Sequence, residues 1–213
     1  MNITLQHLGR RYNREWIFRH IDYAFSAGKK YAILGPNGSG KSTLLKVISA
    51  SLSPSEGEIV YSDDSGKPIL ADDIYAQCTM AAPYMELIEE FTLREMLAFH
   101  FKFKAYRIGY NFDSVVELLH LAHALDKEIR FFSSGMKQRV KLALACCSAS
   151  RIVLLDEPTS NLDKAGEDWY LALIEQTITA DTLLVVASNQ EKEYAFCDEQ
   201  LDILAYKPNS PAI

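Results

Sequence analysis

No stretch of this 213-residue sequence comes near the ~18 unbroken apolar residues that a membrane-spanning helix needs, so the chain is not expected to cross a bilayer. The opening MNITLQHLGRRYNR has no apolar middle, which argues against a secretion signal. Basic residues are in deficit: 22 Lys and Arg face 28 Asp and Glu, for a formal net charge of −6. A protein whose main task is gripping nucleic acid displays clustered basic residues, so nucleic acid is not the expected partner. Glycine (10) and proline (7) are too scarce for a fibrous or disordered chain. There are only four cysteines, Cys78, Cys146, Cys147 and Cys197, and no CxxC pair among them. The adjacent pair lies in the apolar run LALACCSA, and buried, reduced thiols are expected. His120 and His123, three apart, could share a helix face, but no acidic or cysteine ligand accompanies them, and they read as ordinary helix residues. With no internal repeat and no long linker, the remainder describes a cytosolic globular protein of one large domain or two small ones.

What is present alternates in period. KKYAILG reads as a strand, GPNGSGK as a loop and STLLKVISA as a helix, all within residues 29–50. SPSEGEIVY supplies a turn and a further β segment. DDIYAQCTMAA is predicted as a strand running into Pro83. Helical character follows through LREMLAFHFKFKAYRIGYNF and SVVELLHLAHAL, and residues 133–149 form another helix capped by serine. RIVLLDEP and TLLVVAS are solidly apolar and β-branched, as strands buried on both faces are, with a helix over AGEDWYLALIEQTI between them. Strands alternating with helices predict a mostly parallel α/β sheet. The final KPNSPAI reads as a loose tail.

Gly35–Thr43 spell GPNGSGKST, which fits G-x-x-x-x-G-K-[ST] in the strand-to-helix context that such a phosphate-binding loop requires. Gly35, Pro36, Asn37, Gly38, Ser39, Gly40, Lys41, Ser42 and Thr43 are therefore the predicted nucleotide-phosphate-binding segment: glycines let the backbone curl round phosphates, Lys41 reaches β and γ oxygens, and Ser42 can ligate Mg²⁺. IVLLDE then places Asp156 and Glu157 at the C-terminal end of a strand, where α/β sheets bind ligands. Asp156 is suited to hold Mg²⁺ through water, and Glu157 to polarise an attacking water. In FSSGMKQR, Ser133, Ser134 and Gly135 stand just before a helix, where bare backbone N–H groups favour an anion.

The order GPNGSGKST, FSSGMKQR, IVLLDEPTSNLD resembles the nucleotide-binding subunit of ATP-binding cassette (ABC) transporters from Tyr12 to VVASNQ. The resemblance implies a P-loop NTPase fold: a mostly parallel sheet core, an N-terminal antiparallel β layer and a helical subdomain in one ATP-binding domain over residues 1–213. Residues 1–85 and 150–213 would form the core with its β layer, and 86–149 the helical subdomain with the signature helix. It implies ATP and Mg²⁺ as cofactors and a head-to-tail dimer, a homodimer or a heterodimer with a related ATPase. In that dimer Ser133, Ser134, Gly135 and Met136 would meet the ATP of the opposite subunit, although Ser134 replaces the usual glycine and Phe132 the usual leucine. Tyr12 corresponds to the aromatic that stacks on adenine, with Trp16 a rival; Asp163 belongs to the loop that crosses the dimer; Gly57 corresponds to a structural turn glycine.

Two positions depart from the family. Asn189 stands where a histidine contacting the γ-phosphate is usual, and an amide can donate a hydrogen bond but carries no charge and shuttles no proton. A glutamine expected about nine residues before Thr92 falls on Pro83, with Tyr84 and Glu86 nearby. The resemblance implies hydrolysis through Glu157, Lys41 and Asn189. It also implies separate transmembrane permease subunits that hold the chain at the inner face of the membrane. Phe91, Phe99, Phe101, Phe103, Tyr106, Tyr110 and Phe112 crowd the helical region and would receive the permease. An alternative is a regulatory ATPase that hydrolyses weakly and signals to a membrane partner without pumping. The length leaves no room for the coiled-coil insertion or second cassette of ABC proteins that act on DNA or ribosomes, and a GTPase's N-K-x-D is absent.

Overall fold

Two β sheets divide the strands by direction in the computed structural model, which describes residues 1–208. The antiparallel sheet joins β1 (Asn2–Tyr12), β2 (Glu15–Phe25), β4 (Glu56–Ser62) and the short β5 (Pro68–Ile69) in the order β2-β1-β4-β5. The parallel sheet runs β6-β7-β8-β3-β9, built from β3 (Lys30–Leu34), β6 (Cys78–Ala81), β7 (Ile152–Asp156), β8 (Leu183–Ala187) and β9 (Glu199–Asp202). The predicted tail, beyond Pro208, lies outside the described residues.

The solid apolar runs work as their pattern predicts. Every residue of β7 and β8 is buried, and successive side chains feed two different cores. Ile152, Leu154, Leu183 and Val185 face the antiparallel sheet and α1 (Lys41–Ile48), while Val153, Leu155, Leu184 and Val186 face α5 (Ser134–Cys146) and α6 (Lys164–Thr177). Each such Leu, Ile or Val contributes roughly 1.5–3 kcal/mol by leaving water. All the strands lie within residues 1–85 and 150–213, and α3 (Leu93–Phe103), α4 (Phe112–Leu119) and α5 lie between them.

Three expectations are corrected. DDIYAQ is not strand: Ala71–Asp73 form a 3-10 turn and Ile74–Gln77 the short helix α2, because only Cys78–Ala81 have a partner, in β7. The helix predicted from Leu93 on stops at Phe103. Lys104 turns extended and its ammonium donates to the Cys78 carbonyl at 3.0 Å and to that of Tyr75. Arg107 then goes inward, donating to Cys146 O (2.9 Å), Ser150 O (3.1 Å) and Thr182 Oγ1 (2.9 Å). These buried bonds outweigh helix propensity. Finally, α4 ends at Leu119; His120 takes a left-handed conformation (φ 56°) and His123 lies in a following 3-10 turn, so the two do not share a helix face.

Cys78, Cys146 and Cys147 are buried and Cys197 half-buried, all unpaired; burial pushes the Cys78, Cys147 and Cys197 thiols up to about 12. Of the seven crowded aromatics, Phe91, Phe101, Tyr106, Tyr110 and Phe112 pack against the helical core, Phe101 stacked on Tyr106 with centroids 3.7 Å apart. Only Phe99 (38% exposed) and Phe103 (75%) remain for a partner. Gly57 lies within β4, not in a turn: the bulge of β1 brings the Gln6 and His7 carbonyls where a Cβ would be, and φ is +73°.

Candidate functional site

Strand β3 sits between β8 and β9, which fixes where the loop 35–40 begins. Gly35, Gly38 and Gly40 take φ values of 146°, 78° and 106°, and at Gly40 a Cβ would also collide with Ile17. Gly40 is the N-cap of α1 and offers no side-chain acceptor; no acidic residue stands in the first turn. The first N–H groups of α1 therefore stay open at the positive end of the helix. Lys41, only 4% exposed, donates from Nζ to the carbonyls of Gly35 (2.7 Å) and Pro36 (3.3 Å), so its ammonium lies folded over the loop. Asn37, Gly38, Gly40, Lys41, Ser42 and Thr43 line a cleft of about 300 Å³, closed on one side by Ile17 and on another by Glu157. Ser39 is buried behind it, its hydroxyl unpartnered.

Asp156 ends β7. It is 2% exposed and neither carboxylate oxygen has a hydrogen-bond partner. Burial raises its pKa above the ordinary value; the Ser42 hydroxyl pulls it back, Glu157 raises it further, and Lys41 and Lys46 lower it. A buried, orphaned carboxylate next to a hydroxyl is costly unless something cationic completes it. The donor set, carboxylate and hydroxyl oxygen beside a phosphate cleft, fits Mg²⁺. Glu157 is held at φ 43°, a strained value for a residue with a side chain, by its N–H donating to Ala187 O at 2.9 Å. That bond ties it to the end of β8, two residues before Asn189, whose Nδ2 donates to Asn37 Oδ1 at 3.3 Å.

Pro83 offers its carbonyl to Lys141 Nζ at 2.9 Å. Its neighbour Tyr84 faces the site: Lys46 Nζ lies 4.3 Å from the ring centroid, and burial together with the Asp156 carboxylate raises the phenol's pKa. Tyr12 is 44% exposed with Arg10 over its ring at 4.8 Å, and lies outside the wall of the phosphate cleft. Trp16 carries Arg11 (5.4 Å) and Arg19 (4.1 Å) against its ring.

A second cleft, of about 380 Å³, is lined by Ser133, Ser134, Gly135, Met136 and Asp163, and shares no lining residue with the first. The predicted serine cap is present: Ser133 Oγ accepts from Met136 N–H at 3.2 Å, so one of the first N–H groups of α5 is taken rather than bare. Gly135 packs so closely on the 160–163 loop that a Cβ would sit 3.0 Å from the Asn161 carbonyl. Asp163 caps α6 through Gly166 N–H at 2.8 Å.

Two residues were not singled out by the sequence. Gln138, 2% exposed, donates from Nε2 to Pro158 O at 2.9 Å. Glu193 is fully buried beneath both site loops. In a sequence EKE is a solvated charge run, and only the fold reveals otherwise.

The ABC transporter family model matches residues 18–160. The "Cytochrome c biogenesis ATP-binding export protein CcmA" of Brucella abortus is 30% identical over 192 residues, 89% of this chain and 86% of that protein. The "Hemin import ATP-binding protein HmuV" of Bradyrhizobium diazoefficiens is 32% identical over 170 residues, 76% of this chain and 63% of that protein. The fold is shared with an ABC transporter ATP-binding protein from Pyrococcus furiosus (TM-score 0.81, 22% identity, 98% of this chain and 100% of that one). It is also shared with a bacterial ABC transporter cassette solved as a dimer (TM-score 0.76, 22% identity, 94% of each chain).

Proposed function

Since the chain belongs to the ABC transporter family and is one of its ATPases, we propose that two copies, or this chain and a related ATPase, clasp two Mg-ATP and drive a separate transmembrane permease. One observation carries the reading: the phosphate cleft and the Ser133–Met136 cleft share no residue, and the segment 157–163 runs from one to the other. Each is half of a pocket, so two copies set head to tail would complete two.

In this reading the open N–H groups of α1 and the Lys41 ammonium take the β and γ oxygens of ATP, Lys41 leaving the Gly35 carbonyl to do so. Ser42 and Asp156 would hold Mg²⁺, which supplies neutralising charge at the phosphates. Glu157 orients a water and accepts its proton as the water attacks the γ-phosphorus in line, the bond to the bridging oxygen breaking to release ADP and phosphate. The Asn189 amide donates to the γ-phosphate in place of Asn37. Tyr12 contributes its ring to the adenine once Arg10 swings aside. From the partner, Ser133 to Met136 close over the γ-phosphate, and Asp163 lies at the seam. The permease would dock beside α3, where a groove of about 270 Å³ is edged by Met85, Met96 and His100, and Phe99 and Phe103 stand exposed on the same helix. Among the described residues no helix is long and apolar enough to cross a membrane, so in this reading the spanning helices belong to the permease.

The test is ATP turnover: Glu157→Gln should lower it by at least about 100-fold while ATP still binds, and an unchanged rate would refute the role of Glu157. Asn189 favours the alternative reading of a regulatory ATPase that turns over weakly, since its amide can neither carry charge nor shuttle a proton. A rate that stays low when the membrane partner is added would select it.

A further inference from the structure

We propose that Glu193 is a positioning residue that locks the Glu157 segment to the Asn189 segment, so that the two groups facing the γ-phosphate are held as one unit; the functional meaning of the lock rests on the reading above. The residue closes a 3-10 turn over Glu191–Glu193 and is 0% exposed. Its two oxygens divide between the two loops. Oε1 accepts both the backbone N–H of Thr159, at 3.0 Å, and the Thr159 hydroxyl. Oε2 accepts the hydroxyl of Ser188, whose oxygen in turn accepts the N–H of Gln190 at 2.9 Å. Thr159 lies two residues beyond Glu157, and Ser188 directly precedes Asn189.

Among the described residues Glu193 has no salt bridge; every partner of its carboxylate is a neutral donor on one of these two loops. Burying a carboxylate is costly, and apolar packing would hold a loop more cheaply. What the carboxylate adds is a pair of acceptors at fixed separation, a rigid bridge between chain segments 29 or more positions apart. The main chain of the bridge is anchored by Tyr170, whose hydroxyl donates to the Glu193 carbonyl at 3.0 Å. The Thr159 side is also reached from α5, through Gln138 Nε2 to Pro158 O at 2.9 Å, which puts the signature helix on the same network. Displacing Asn189 then strains Glu157, and the reverse.

Amide exchange followed by NMR on the full chain, with kinetics beside it, tests the lock. Ser188→Ala removes one hydroxyl on the Asn189 side and should leave the fold intact. The expected result is exchange of the Thr159 amide, on the opposite loop, faster by about 10-fold, and turnover lowered about 3- to 10-fold with Mg-ATP affinity within about 2-fold. Glu193→Gln, which keeps one oxygen for Thr159 but turns a donor toward Ser188, should do the same more strongly. If only the Gln190 amide speeds up while Thr159 stays protected in both variants, or if turnover and affinity fall in parallel, the lock is refuted. Should Glu157→Gln leave turnover unchanged, the reading of the site falls, and the exchange result still decides whether the two loops are linked.

Discussion

The helices α1 and α5 both present their N-termini to a cleft, yet one is finished and the other is not. α1 starts at a glycine with no acceptor to offer, and its open N–H groups are joined by a buried ammonium. α5 starts at a serine that satisfies one of its own N–H groups, and its glycine is pressed against the 160–163 loop. A cleft with open N–H groups and a buried ammonium thus stands at the start of α1, and a cleft beside a capped helix start at α5. The Ser133 oxygen accepts the Met136 N–H while its O–H stays free to donate, so the cap removes one backbone donor and leaves a hydroxyl donor in its place. In the proposed dimer, the open cradle of one copy would hold ATP and the second cleft of the other copy would close on it.

The comparison can be broken at its tightest contact. Gly135→Val would force the Asn161 carbonyl away and fill the second cleft; turnover should fall about 10-fold or more, with ATP affinity of single copies unchanged in a binding titration, because the cradle is untouched. Affinity falling in step would mean that the clefts are not separable. On the cradle side, Asp156 binds its proton more tightly in the folded chain than an ordinary carboxyl does, chiefly through burial. Without ligand, stability therefore declines as pH rises from 3.8 through the raised pKa; Mg²⁺, which favours the charged form, loses affinity as pH falls through the same window. Calorimetry should show that loss approaching about 10-fold per pH unit below the raised pKa, and Asp156→Asn should flatten it. Ser133→Ala sharpens the contrast more gently. Losing the cap should lower the melting temperature by about 2–4 °C. Ser133→Asp, which can still cap, should keep the melting temperature yet depress turnover by opposing a phosphate.

How much of this was legible follows from where the physics is local. The phosphate loop is written in consecutive residues whose glycines are needed by the backbone itself, and β3, α1, β7 and β8 follow from period and apolar content. Sequence also brought Glu157, Asn189 and the P-loop together by analogy; the fold puts Glu157 in the wall of the P-loop cleft and hydrogen-bonds Asn189 to Asn37, which lines it. What failed was non-local. The early end of α3 is decided by where Lys104 and Arg107 find carbonyls on β6, at the last residue of α5 and just before β7. Glu193 carries no sequence signal, because a buried carboxylate and a solvated one are spelled alike.

Light scattering on the Glu157→Gln chain with saturating Mg-ATP addresses the central claim most directly. The account predicts a particle of twice the chain's 24.0 kDa mass holding two ATP, reverting to single copies when ATP is removed or when Gly135→Val is added. Single copies with ATP bound, at every protein concentration, would contradict it.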